Sequence, residues 1–260
     1  MKSHPIVALL ATLGAVLALS STTARAQTAP DWRYVNWTEA RLNSRADVMS
    51  LMEQWAPFLK KHAPDTLPYE FYTGDDGKMY FADFLRDLND IERGEKMFEK
   101  AIEKYMSMGL PDLGPKWFGG VASTDSSVWK LDPELSYMPE GTMAAMRSQP
   151  FRKLIVFHLK NDKVEAWKEV AKSLAAVDRK VGIITPRFVF EAKVGADLPA
   201  FSFVVPAQDV ADYYAGLAKR NEKRGPEEGA RFVKALQDTS RTVQNYNLTL
   251  QPTLSRPPTE

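Results

Sequence analysis

A strand-then-helix phrase occurs twice in this chain, and that recurrence constrains the fold more than any other feature. Lys78 to Phe98 reads KMYFADFLRDLNDIERGEKMF, and Leu198 to Tyr214 reads LPAFSFVVPAQDVADYY. In each, apolar residues first alternate, as on a half-buried strand, and then recur at helical spacing. The surroundings recur as well. The spacing predicts a strand over Arg33–Asn43, then a helix from Ser44 with Val48, Leu51, Met52, Trp55 and Leu59 inward and Pro57 expected to kink or shorten it. LPYEFYT and KMYFADFL form a strand pair around the Gly74–Gly77 turn. Ile91, Phe98, Ile102 and Tyr105 line a second helix, a Gly/Pro-rich loop spans Gly109–Gly120, and a last strand lies within SSVWKLDPELSYM.

The second copy opens with FRKLIVFHLKND, Phe151–Asp162, an apolar run of strand length. Asp162 with Glu165 resembles a capping box, and Val164, Trp167, Ala171 and Leu174 follow on one helical face, with Gly182 near its end. In TPRFVFEAKV, Phe188, Phe190 and Ala192 fall on one side and Arg187, Val189 and Glu191 on the other. AFSFVV is a strand. Val210, Tyr213, Tyr214 and Leu217 mark a helix, another starts near Glu227, and NYNLTLQP closes the copy. The cap residues Ser44 and Asp162 lie 118 apart, as do Pro68 and Pro186. The expected fold class is α+β: two tandem β-α-β-β-α-β, ferredoxin-like units with antiparallel sheets facing each other. A solenoid is excluded, because its repeats are far shorter. The expected boundaries are 31–138 for the first unit, 139–150 for a linker, 151–252 for the second unit and 253–260 for a mobile polar tail.

Residues 1–26 read as an export signal: Lys2, an apolar run from Ile6 to Leu19, and the cleavage pattern Ala24-Arg25-Ala26 before Gln27. The run is short for a membrane span, so a periplasmic or secreted protein without stable membrane insertion is expected. Removing Lys2 and Arg25 leaves 32 basic against 33 acidic residues, net −1. That balance argues against nucleic acid as a partner. With no Cys and only His62 and His158 after cleavage, thiol catalysis, iron–sulfur clusters, zinc ribbons and multi-histidine metal centres are excluded, and no metal site is expected.

Two β-α-β-β-α-β units in one chain resemble the dimeric α+β barrel superfamily in its fused, single-chain form. The resemblance rests on element order over nearly all of the chain after residue 26. It implies two ferredoxin-like sheets forming a barrel with helices outside, and pockets inside the barrel or between each sheet and its helices. The superfamily includes cofactor-free monooxygenases of the antibiotic-biosynthesis type, haem-degrading and haem-dependent enzymes, and stress-responsive proteins; a fold does not choose among them.

His158 is the one histidine in a predicted strand. Val156, His158 and Lys160 should face away from the helices, toward the barrel interior. The resemblance offers it as an axial haem ligand; the plainer reading is a histidine satisfied by a carboxylate or backbone carbonyl. Arg187 and Glu191 share a strand face. With His158 they are candidate catalytic residues of one polar cluster, with Arg187 pairing an anion and His158 or Glu191 moving a proton. The alternative is a salt-bridge ladder, with Glu39, Arg41, Glu70 and Tyr72 as first-copy counterparts. His62, at a helix end, reads as a cap. Trp117 and Phe118 in PKWFGG form either a core plug or a pocket lid. Nucleotide-binding loops, nucleophile elbows and zincin motifs are absent. Two functions follow: an exported protein binding a small apolar or aromatic ligand, or a monooxygenase-like or haem-linked enzyme with a pocket in the barrel. Neither the cofactor nor the oligomeric state is specified.

Overall fold

The computed structural model describes residues 30–111 and 113–258; the segment expected to be an export signal lies outside the described residues. Among the described residues alternation produces eight strands; most are buried on both faces, while the fourth and the eighth each carry a run of five exposed residues. The strands are β1 (Tyr34–Leu42), β2 (Tyr69–Gly74), β3 (Met79–Leu85), β4 (Val121–Leu131), β5 (Phe151–Leu159), β6 (Phe188–Val194), β7 (Ala200–Ala207) and β8 (Ser240–Leu250). The helices are α1 (Arg45–His62), α2 (Asn89–Ser107), α3 (Gly114–Gly120), α4 (Thr142–Ser148), α5 (Val164–Lys180), α6 (Val210–Arg224) and α7 (Pro226–Thr239).

Within the first unit the strand order is β4-β1-β3-β2, and within the second β6-β7-β5-β8. Each is the ferredoxin-like order, and every pairing is antiparallel. The units join at both edges. β2 pairs β8 through Tyr72↔Leu250, Thr73↔Thr249 and Gly74↔Leu248. β4 pairs β6 from Val128↔Val194 to Leu131↔Phe190. The expected facing sheets are therefore one closed eight-stranded barrel, which leaves no unpaired sheet edge.

Three apolar layers result. The barrel interior is packed by residues including Trp32, Trp129, Phe188, Phe190 and Leu248. Outside, Phe71 and Met79 meet Trp55 and Leu59 of α1, while Phe157, Leu159, Val189 and Phe201 meet Trp167 of α5 and Phe232 of α7. α1 runs through Pro57 without interruption.

Some local expectations change. The Gly109–Gly120 segment includes α3, whose Trp117 packs toward Phe81 at 6.1 Å on the outer core, while Phe118 is exposed. Asp162 does not cap α5. A 3-10 turn over Asn161–Lys163 moves the helix start to Val164, and Asp162 pairs with Lys163 at 3.3 Å instead. Residues 139–150 contain α4, whose Met143 and Met146 pack against the barrel interior. The tail is anchored up to Pro258. Arg256 pairs with Tyr69 through the backbone and donates to the carbonyls of Ala63, Pro64 and Leu67.

Candidate ligand cavity inside the barrel

Inward-facing positions of the strands enclose a cavity of about 250 Å³. Its middle is aromatic and aliphatic: Trp32, Trp37, Phe84, Trp129, Phe188 and Phe190, with Leu154, Val156 and Leu248. Trp32 lies edge-on to Phe84 at 4.8 Å and stacks with Phe190 at 6.1 Å; Trp37 stacks on Tyr80 at 5.3 Å. Such walls suit a flat apolar ligand, and a few polar groups set its orientation.

Those polar groups sit at two ends. The solvent-exposed end carries Glu39, Asp125, Ser126, His158, Asp197, Gln244 and Tyr246. Lys78 Nζ donates to Glu39 at 2.5 Å, and Arg241 donates to Asp197 at 3.1 Å. Burial, then the Glu39 charge, raises the Tyr246 phenol above its ordinary range. The closed end carries Glu70 and Tyr72 of β2 and Arg152 of β5, beside Met146 of α4. Tyr72 donates to Glu70. Arg152 donates to the carbonyls of Met146, Gln149 and Phe151, and lies 3.9 Å from Glu70. Burial pushes the Glu70 carboxyl up, against the pull of Arg152, and pushes the Tyr72 phenol well up, aided by Glu70.

His158 lies where alternation from Leu154 and Val156 directs it, on the cavity wall. Its Nδ1 is 2.9 Å from the Asp197 carbonyl oxygen, and its Nε2 is 3.3 Å from the Gln244 side chain. Both neighbours, the Asp197 carbonyl and Gln244 Oε1, only accept, so a singly protonated ring donates to one of them; the shorter contact gives that hydrogen to Nδ1, with Nε2 facing the Gln244 amide. Gln244 Oε1 accepts from the Tyr246 hydroxyl at 2.8 Å. The imidazole is thus held by a carbonyl and an amide, on the wall of an open cavity.

Arg187 and Glu191 do not converge with His158. Phe188 and Phe190 take the inward positions of β6, so Arg187 and Glu191 point outward. Arg187 is buried beneath the helices and donates to Asp178 of α5 at 2.7 Å; Arg224 donates to the same carboxylate, also at 2.7 Å. Glu191 pairs with Lys193 at 2.7 Å. Of their first-copy counterparts, Glu39, Glu70 and Tyr72 line the cavity, and Arg41 is exposed. His62 ends α1 and stacks on Phe58 at 5.2 Å, away from the cavity. Sequence reasoning passed over Arg152. Its signal was a lone arginine at an inward position of the apolar run Phe151–Leu159.

No protein-family model matches the chain, and no curated protein matches it. Solved structures do. An anthrone oxidase-like protein is 9% identical, covering 84% of this chain and 91% of its own, with a TM-score of 0.57. A candidate monooxygenase from Lactobacillus acidophilus is 8% identical, covering 84% and 94%, with a TM-score of 0.52. A chlorite dismutase variant from Candidatus Nitrospira defluvii is 13% identical, covering 87% and 94%, with a TM-score of 0.47. At such identities the first two likenesses establish the fold alone: an α+β barrel of two ferredoxin-like units.

Proposed function

We propose that the barrel interior takes a small, flat, mainly apolar ligand and that His158 acts on it as a general base in monooxygenase-like chemistry. The orientation of His158 carries this reading. With Nδ1–H on the Asp197 carbonyl, Nε2, beside the Gln244 amide at 3.3 Å on the wall of an aromatic cavity, is the ring atom that takes the proton. Likeness of fold to a candidate monooxygenase and an anthrone oxidase-like protein supports the reaction class. For an anthrone-type substrate, Nε2 takes a proton from the ring CH₂, and the resulting anion is open to dioxygen. The carbon loses both hydrogens and gains one oxygen as a ketone. The second oxygen atom leaves as water with those hydrogens, and His158 gives back its proton.

Anthrone is the probe. Trp32, Trp37 and Trp129 line the cavity, so binding is expected to quench tryptophan fluorescence saturably. Oxygen uptake is expected in the wild type and reduced at least ~100-fold in His158→Ala, the usual size of a general-base contribution. Quenching is expected to persist in the variant. Absence of saturable quenching overturns the cavity as the ligand site; quenching without uptake leaves a binding protein and removes the base.

Haem is judged on the same residues. The Nδ1 anchor of His158 suits a ligand histidine. The volume does not suit the macrocycle: about 250 Å³ is below the usual range of about 300–1,000 Å³ for drug-sized ligands, and haem is larger than most of those. No step is therefore routed through it. A haem titration followed at the Soret band, with His158→Ala as control, is expected to give no saturable band. We further infer export with cleavage before Gln27, which mass spectrometry of the periplasmic or secreted protein would read directly.

A further inference from the structure

The closed end of the cavity holds more polarity than its own contacts satisfy. Three backbone carbonyls fix the Arg152 guanidinium and the Tyr72 hydroxyl lies beside it, yet its buried Nε has no partner. Trp32 Nε1, in the aromatic middle of the cavity, is another buried donor with no partner. Glu70 takes the Tyr72 hydroxyl on one oxygen, and its other oxygen stands 3.9 Å from Arg152, beyond hydrogen-bond range. The side chains of Arg152 and Glu70 are 1% and 6% exposed. Buried polar groups are as a rule hydrogen-bonded, so an orphan donor beside a half-used carboxylate on a cavity wall marks a place where a ligand atom is expected.

The chemistry of the gap selects the ligand. Arg152 Nε–H only donates, and an ionised Glu70 only accepts. A carboxylate ligand would satisfy the donor but meet the Glu70 charge. An ammonium would pair with Glu70 but meet Arg152. A hydrocarbon would leave the Arg152 Nε–H without a partner and the second Glu70 oxygen unused. A hydroxyl both donates and accepts, and is neutral. We infer that this site selects phenolic aromatics, with the ligand hydroxyl lodged between Arg152 and Glu70 at the closed end and the aromatic body running toward His158 at the mouth. This deepens the proposed function and rests on its cavity.

The test compares naphthalene, 2-naphthol, 2-methoxynaphthalene and 2-naphthoate by tryptophan-fluorescence titration at neutral pH. The wild type is expected to bind 2-naphthol at least tenfold tighter than its methyl ether, which cannot donate to Glu70, and tighter than 2-naphthoate. In the double variant Glu70→Leu/Arg152→Met, replacing a buried ion pair by apolar groups of similar volume is expected to keep the fold. There the ratio between naphthol and ether is expected to fall to about one, with naphthalene affinity retained. Glu70→Gln, which keeps the shape, is expected to lower the ratio at least threefold; its far-UV circular dichroism checks the fold. Equal wild-type affinity for naphthol and ether, tighter naphthoate binding, or a ratio unchanged in both variants overturns the phenol site while the cavity stands. If none of the four probes binds saturably, the cavity reading itself falls.

Discussion

Asp178 shows how one residue's role depends on which face of a strand is inward. It accepts from Arg187 and Arg224 at 2.7 Å each, with its side chain 1% exposed and each arginine 8% exposed. Removing one partner of a buried pair leaves an uncompensated charge, so Asp178→Ala is expected to cost about 3–5 kcal/mol, read as a lower urea midpoint. Asp83 is the opposite case. Burial holds its carboxyl up at about 6, above the ordinary 3.8, with only the Asn36 amide at 3.2 Å favouring the charge. The folded state therefore binds the proton more tightly than the unfolded chain. The associated stability is full below about pH 4 and is lost as pH rises through about 6. Asp83→Asn keeps the Asn36 contact and is expected to be more stable than wild type at pH 7.5 by about 1–3 kcal/mol, and equal to it near pH 4, by thermal melts at both values. Alternation in the sequence placed His158 on the cavity wall and paired Arg187 with Glu191 correctly. It could not say which side of β6 is the interior, because Phe188 and Phe190 on one face and Val189 on the other are all apolar. The deciding partner, Asp178, lies on a helix whose docking only the tertiary structure supplies.

Helix starts mark the limit of legibility among the elements. Ser44 accepts from the Asp47 amide at 3.3 Å, and Asp209 accepts from the Asp212 amide at 2.8 Å, as capping residues do. Asp162 has the same sequence signature and caps nothing, because the 3-10 turn, closed by Lys163 N–H to the Lys160 carbonyl at 2.9 Å, inserts before α5. Ser44→Ala and Asp209→Ala are each expected to cost ~1 kcal/mol, and Asp162→Ala under ~0.5 kcal/mol. Urea unfolding of the three variants side by side checks this; an Asp162 cost equal to the others would refute the shifted helix start. The strands were more legible than the caps, since a burial pattern over six or more residues is averaged, whereas a cap depends on one side chain and one turn.

At the scale of the whole molecule, the duplicated unit was readable because its strands and helices recur in register, and the resemblance in element order implied that the two sheets form a barrel, but which edges pair was not readable. Strand-edge pairing depends on backbone donors and acceptors that every residue carries, so no residue in β2, β4, β6 or β8 announces its partner. The closed order explains why neither half suffices. A first unit alone would present β2 and β4 as open edges and would bare Trp37, Tyr72, Tyr80 and Trp129, which the second unit helps to enclose. Its best available partner would be another copy of itself, offering the same two edges. A chain of residues 30–150 is therefore expected to appear in size-exclusion chromatography with light scattering as a dimer or larger, without a stable monomer. Co-expressed with residues 151–258, it is expected to form a one-to-one complex that regains saturable binding of 2-naphthol. A half-chain that stays monomeric and unfolds cooperatively would mean the seams are incidental. The ligand cavity would then owe its walls to two independently stable domains rather than to the closure of one barrel.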